Sequence, residues 1–347
     1  VESGRLAEAF LPSGTNIQAL RESSERDIRE AHYDHHLPNS VRHGGNIPAI
    51  WAYANGTDTR LLGLSWSDEV QLILTTVESG VKTVRDLKHR RFGIPKWANV
   101  QIDFTRAQAL RGLENALKLE GMSVSDVDLV DYPYGGTYSD EQMRHVHGAQ
   151  VSFGVNRIQQ RNNELIGLLR GDIDAIFLKG AHAVHLAAEF GLHVVIDTGS
   201  HPDPMIRSNN GTPRTLTVDR HLLDHHFDAA KIIVDCVLRS EQWAWANPEK
   251  TRQFLARELN TSEYWWPPPT AKMPIGACAP CSMNSRFWRY RISPISCTAG
   301  SSSHGVSMCV TGLISAYWKV CWGRLQGCPS SHISRSLAGG YRPFFRL

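Results

Sequence analysis

Arg42-His43-Gly44-Gly45-Asn46-Ile47-Pro48, with His32 ten residues ahead of the arginine, is the stretch of this 347-residue chain best equipped for chemistry. Two adjacent glycines free the backbone to take positive φ and to bring bare N–H groups up to a ligand. The arginine offers a planar fork of donors suited to carboxylate, phosphate, sulfonate or sulfinate oxygens. A histidine adds a group that can donate, accept or move a proton near neutral pH. The pattern predicts a small oxyanion pocket formed by Arg42, Gly44 and Gly45, with His32 beside it. His35, His36 and His43 crowd the same stretch, so spacing alone does not single out one imidazole. With Asp34, the first two and His32 also have the donor types of a zinc or nickel site.

The segments that must hold these residues alternate in character along the chain. Short apolar runs of strand length occur at 60–65, 70–75, 92–95, 128–130, 175–178, 193–196 and 215–218. Between them, Ala107, Leu110, Leu113 and Leu117 recur at three- and four-residue intervals, which predicts a helix over 104–119 with one apolar face. Further helices are expected over 162–170, ended by Gly171, over 181–190, ended by Gly191, and over 227–245. In the last of these Ile232, Ile233, Cys236 and Val237 are expected to face the interior. Asn247-Pro248 closes that helix and opens another to about residue 259. Such alternation argues for α/β architecture with largely parallel sheets.

Composition narrows the function classes. Hydrophobic residues make up 41% of the chain and charged residues 20%, the proportions of a globular protein, and the length allows two domains. No apolar run approaches the 18 residues of a spanning helix. The net charge of +3 conceals a division: residues 268–347 hold 9 of the 37 basic residues and none of the 34 acidic ones, leaving a body of 28 basic and 34 acidic residues, net −6. A body of that sign gives no reason to expect nucleic acid as partner. Cys236 alone lies in the body, which suits a reducing compartment. Residues 267–347 form an atypical tail rich in Ser, Cys and Arg, expected to be frame-shifted or disordered; Cys278-Ala-Pro-Cys281 lacks the second pair that a zinc site needs.

His32-Tyr33, Arg42-x-Gly44-Gly45-x-Ile47-Pro48 and Arg60-Leu61-Leu62-Gly63 together resemble the hydroxybiphenyl-sulfinate desulfinases, enzymes of the last step of bacterial dibenzothiophene desulfurisation. Asp86-Leu87-x-x-Arg90-Arg91-x-Gly93-Ile94, Val124-x-Asp126-Val127-x-Leu129-Val130 and Gly171-Asp172-Ile173-Asp174-Ala175 follow in the same order, and Glu2-Ser3-Gly4 fits upstream. The likeness runs from residue 2 to about 266. Its later motifs are shared with a wider set of substrate-binding proteins, so the His32/Arg42/Gly45 set is the specific part.

The resemblance implies a two-lobe, type II periplasmic-binding-protein-like α/β fold with a cleft between lobes. Lobe I would comprise 1–92 and 197–266, and lobe II 93–196. It implies a cytoplasmic, monomeric hydrolase that converts 2'-hydroxybiphenyl-2-sulfinate to 2-hydroxybiphenyl and sulfite, with no cofactor and no metal. Arg42 and the Gly45 N–H would grip the sulfinate, and His32 would hydrogen-bond the reacting thiol or sulfinate and tune protonation. Gly44 shares the turn, and Tyr33 either lines the aromatic pocket or packs in the ordinary way. Trp51, Trp66, Trp97 and Phe104 are candidates by type for the apolar slot. The family's cysteine lies shortly upstream of the segment matching Glu2-Ser3-Gly4. This chain begins after it and is expected to be inactive by itself, with Cys236 an inert thiol. The alternative is the solute receptor of a sulfonate- or nitrate-type uptake system, which shares the later motifs.

Overall fold

Two open sheets organise the molecule. In the computed structural model residues 5–20, 23–66, 68–137, 163–258 and 291–294 are described, all within the unit Val1–Pro294. The strands are β1 (Val41–Gly44), β2 (Thr59–Trp66), β3 (Gln71–Thr75), β4 (Arg91–Trp97), β5 (Asp128–Tyr134), β6 (Ala175–Lys179), β7 (His193–Asp197), β8 (Arg214–Asp219) and β9 (Arg291–Pro294). The helices are α1 (Arg5–Phe10), α2 (Arg26–Asp34), α3 (Asn46–Ala54), α4 (Phe104–Leu119), α5 (Asn163–Arg170), α6 (Gly180–Glu189), α7 (Pro204–Arg207), α8 (Arg220–His225), α9 (Phe227–Ala246) and α10 (Pro248–Glu258).

The first sheet runs β1-β8-β2-β9 and is antiparallel throughout; the second runs β5-β4-β6-β3-β7. Within the second, β4 is parallel to β5 and β6, while β3 is antiparallel to β6 and β7. The expectation of largely parallel sheets therefore holds only for β5-β4-β6. Apolar strand runs do not carry direction, and β3 enters from the other sheet rather than through a crossover helix.

The chain passes from the first sheet to the second between Trp66 and Gln71, and returns between Asp197 and Arg214. Strand β3, which lies in the range 1–92 that the resemblance gives to lobe I, pairs within the second sheet. The physical reason is burial: all five residues of β3 are inside, as a central strand requires. Leu72 and Leu74 join Leu165, Leu168 and Leu186 on one face, and Ile73 joins Leu113, Leu117 and Phe177 on the other. Helix α4 covers the second of these faces. It starts where Asp103 accepts a hydrogen bond from the Arg106 N–H at 2.9 Å, an N-cap that fixes its first turn.

The first sheet has two unlike faces. Strand β8 alternates Thr215, Leu216, Thr217, Val218 and Asp219, all buried. Val218 packs with Leu222 and Ala230 beneath α8 and α9. The threonines and Asp219 point the other way, so that face is polar yet buried. On α9, Ile232, Ile233, Cys236 and Val237 are half-buried. In the tail, Arg291–Pro294 pairs with β2; Cys278 and Cys281 lie outside the described residues. No helix among the described residues is long and apolar enough to cross a membrane.

Leu113 is fully buried between α4 and the second sheet. Leu113→Ala is expected to lower the unfolding free energy by about 2–5 kcal/mol through lost transfer energy and a residual cavity, read from urea titration.

Candidate functional site

Helix α2 ends on the polar face of the first sheet, and Arg42 joins the two. The arginine is 3% exposed. Its Nε donates to the Ala31 carbonyl at 2.6 Å, and its Nη2 donates to Ser40 Oγ at 2.6 Å and to the Leu37 carbonyl at 3.3 Å. A cation here meets the carbonyl end of a helix, where the backbone dipole favours positive charge. Nη1 is buried and makes no hydrogen bond. Burial lowers the guanidinium to about 10, against the pull of Asp219 and Asp34, so it remains charged at neutral pH.

Gly44 and Gly45 do not take the positive φ that their adjacency predicts. Gly44 ends β1, and Gly45 is the N-cap of α3 with φ −59°. What they supply is room. A Cβ on Gly44 would lie 3.4 Å from the His32 ring, and one on Gly45 would collide with the carboxamide of Asn210. Asn210, 7% exposed, accepts from the Ile47 N–H at 3.3 Å and so caps α3 from the distant segment that precedes β8. Asn46 donates to the carbonyls of Asn209 and Pro213 in the same segment, each at 2.9 Å.

The crossing segment is also tied to the second sheet. Lys179 Nζ donates to the Asn210 carbonyl at 2.5 Å and pairs with Glu69 at 2.8 Å, while Arg214 pairs with Glu69 at 3.0 Å. Asn209 bridges Gln71 Oε1 and the Gln108 carbonyl, at 3.0 and 3.1 Å. Asn209, Asn210, Gln108 and the Lys179–Glu69–Arg214 triad were not singled out from the sequence. The available signal was Asn209-Asn210-Gly211 just ahead of a strand whose buried face is threonine.

A circuit of contacts surrounds the end of β1. His32 meets Gly44 and stands edge-on to Tyr33, with ring centroids 5.0 Å apart. Tyr33 stacks on Phe104 at 5.7 Å. Gln108 lies one turn along α4 from Phe104, and its Oε1 is 3.5 Å from Asn210 Nδ2, which returns to Gly45. Trp97 stacks on Tyr134 at 4.6 Å in the same aromatic cluster as Tyr33 and Phe104. Tyr134 donates to the buried Glu164 at 2.6 Å. The structure thus brings together His32, Tyr33, Gly44, Gly45, Trp97 and Phe104. Trp66 stands apart, bonded to Asp68, and Trp51 is half-buried on α3.

The histidines separate by direction. His35, a helix C-cap at φ 62°, turns inward to Thr59 at 3.0 Å. His36 turns outward to Asp34 and Asp27, at 2.5 and 3.2 Å. His43 bonds Ser65 at 2.7 Å. Among the described residues no three His, Cys, Asp or Glu side chains converge as a metal set. Burial, reinforced by Arg42, lowers His32 to about 4 and His35 to about 3; burial and Arg214 lower His43 to about 4. At neutral pH these imidazoles are uncharged, so His32 offers one N–H and one lone pair.

Neither a protein-family model nor a curated protein matches the chain. Solved structures do. A cysteine-to-serine variant of DszB in complex with biphenyl-2-sulfinic acid is 24% identical, with TM-score 0.55 over 76% of this chain and 77% of that one. The desulfurization enzyme DszB is 21% identical, with TM-score 0.54 over the same shares. The periplasmic aliphatic sulphonate binding protein SsuA from Escherichia coli is 14% identical, with TM-score 0.50 over 85% of this chain and 75% of its own. The fold is periplasmic-binding-protein-like.

The three depressed histidines link stability to pH. Between about pH 6.5 and 4 the unfolded chain binds protons that the folded chain refuses, so stability falls on acidification. Glu164, raised to about 7 by burial against its bond from Tyr134, acts in the opposite sense between its unfolded value and 7. His36, raised against burial by Asp34 and Asp27, and Asp197, raised by burial, act in the same sense as Glu164, but the three buried histidines carry the larger combined shift. The urea midpoint is expected to be lower at pH 5 than at pH 7. His35→Asn, which tolerates the left-handed conformation, is expected to flatten that slope by about 1.4 kcal/mol per pH unit.

Proposed function

We propose that the circuit around Arg42 binds an aryl sulfinate and belongs to a cytoplasmic desulfinase. The observation that carries this reading is the buried, unbonded Nη1 of Arg42. An unpaired buried donor costs about 1–3 kcal/mol, a cost that a ligand oxyanion removes. His32 lies in the field of Arg42 and edge-on to Tyr33, which stacks on Phe104, so these rings can supply aromatic surface and neutral His32 can hydrogen-bond the head group without adding charge. The guanidinium stays charged at neutral pH and can meet a single negative charge. Lys179 and Arg214 share the single carboxylate of Glu69.

The reaction is hydrolytic desulfination, ArSO₂⁻ + H₂O → ArH + HSO₃⁻. The C–S bond breaks, the ring carbon gains a proton and sulfur gains hydroxide. Arg42 and the Gly45 N–H hold the oxygens, while His32 passes or orients the proton. Cys236 does not fit the part of reacting thiol: burial and Asp235 raise its pKa, and it sits on α9. The thiol in this reading is the one that the family resemblance places upstream of Glu2.

Titration calorimetry with biphenyl-2-sulfinate tests the binding, and sulfite release tests the turnover. Arg42 also clasps α2, so Arg42→Ala is expected to cost stability as well as affinity. Arg42→Lys, which keeps the charge but loses the fork, is the sharper change and is expected to weaken binding at least tenfold. Parent-like affinity in Arg42→Lys would remove the guanidinium from the site. Binding of sulfonates without sulfite release from a thiol-containing form would favour the solute-receptor reading.

A further inference from the structure

Thr217 stands directly opposite Arg42 in the β1–β8 register, so the two side chains leave the sheet on the same face. Both residues are 3% exposed. Thr217 Oγ1, like Arg42 Nη1, is buried and makes no hydrogen bond. Buried hydroxyls are nearly always paired, and the other threonines of this layer obey the rule. Thr59 Oγ1 reaches His35 at 3.0 Å and the Val218 carbonyl at 3.4 Å, and Thr215 Oγ1 reaches the Gly45 carbonyl at 3.4 Å. Two unpaired polar atoms therefore belong to residues that face each other across the same side of the sheet, in the layer where their neighbours are satisfied.

We propose that Thr217 is a second oxyanion-binding residue, its hydroxyl and the Arg42 Nη1–H together receiving the head-group oxygens of a bound sulfinate or sulfonate. The inference rests on the anion reading of Arg42 and deepens it. Arginine can only donate, and a threonine paired with an anion does the same. The pair therefore selects a fully deprotonated head group, which sulfinates and sulfonates are at neutral pH, over an acid that must also donate. Because the hydroxyl leaves from a strand, its position is fixed more firmly than that of a loop donor.

Thr217→Val and Thr217→Ser in the full chain test it, with melting temperature and calorimetric titration of biphenyl-2-sulfinate and of methanesulfonate. Thr217→Val keeps the shape and removes only the hydroxyl. It is expected to melt at or above the parent temperature, since no protein bond is lost, and to bind either anion about tenfold more weakly. Thr217→Ser is expected to restore affinity to within about threefold. Unchanged affinity in Thr217→Val overturns the inference while leaving the Arg42 site standing. So does a melting temperature several degrees below the parent, because it reveals a structural partner. Should Thr217→Val fail to fold, Thr217→Ala replaces it under the same two criteria. Failure of the parent to bind biphenyl-2-sulfinate while methanesulfonate still binds through Thr217 would sink the aryl-sulfinate reading alone. Failure of both anions to bind would end both.

Discussion

A charged guanidinium buried between a helix end and a sheet is the constraint that shapes this molecule. Withdrawing a cation from water costs several kcal/mol unless hydrogen bonds and opposite charge replace the solvent. Arg42 meets that demand with the carbonyls of Ala31 and Leu37, the Ser40 hydroxyl and the fields of Asp219 and Asp34. The consequences spread outward. Ala31 O accepts from both Arg42 and the His35 N–H, and His35 takes the left-handed conformation that ends α2 there. His35 then reaches Thr59, Asp219 receives the N–H groups of Ser40 and Leu222, and the whole face of β8 must be polar. Thr215, Thr217 and Asp219 on one buried face of β8 are the sequence-level trace of that demand.

The body of the fold was legible because its elements obey simple periods. Helix α4 spans the predicted 104–119, and β3, β6 and β7 fall on the predicted apolar runs. The elements that build the site were not. Helix α2 carries Arg29, His32 and Asp34 where an apolar stripe would signal a helix, and its one buried hydrophobic residue is Ala31. Strand β1 has four residues, two of them Arg42 and His43. Helix α3 begins at Asn46 with proline two residues later. Local periodicity reports burial of apolar groups, and these segments are held by polar contacts from residues about 160 to 180 positions away, as in Asn210 to Ile47 and Asp219 to Ser40.

The two glycines show how a correct location can come with the wrong cause. Their adjacency suggested a turn with positive φ, whereas the backbone there is ordinary. Both sites are glycine because something else comes close: the His32 ring at Gly44 and the Asn210 carboxamide at Gly45. Such a requirement depends on the partner, and no spacing within 42–48 encodes Asn210. The carboxamide serves as an uncharged cap. An aspartate there would suit the helix dipole equally well but would add a negative charge beside Glu69, the partner of the neighbouring Lys179.

Charge, more than shape, sets the character of the layer around Arg42. The imidazoles of His32, His35 and His43 are held neutral by burial, and the cations Lys179 and Arg214 share Glu69, whose carboxyl they hold below its ordinary value despite burial. The polar groups around Gly45 are the amides of Asn46, Gln108 and Asn210. The charges that act on Arg42 are the carboxylates of Asp219 and Asp34, while its histidine neighbours are neutral. Lys179 and Arg214 bring two positive charges to the single carboxylate of Glu69, so the segment before β8 keeps a cation of its own beside those amides.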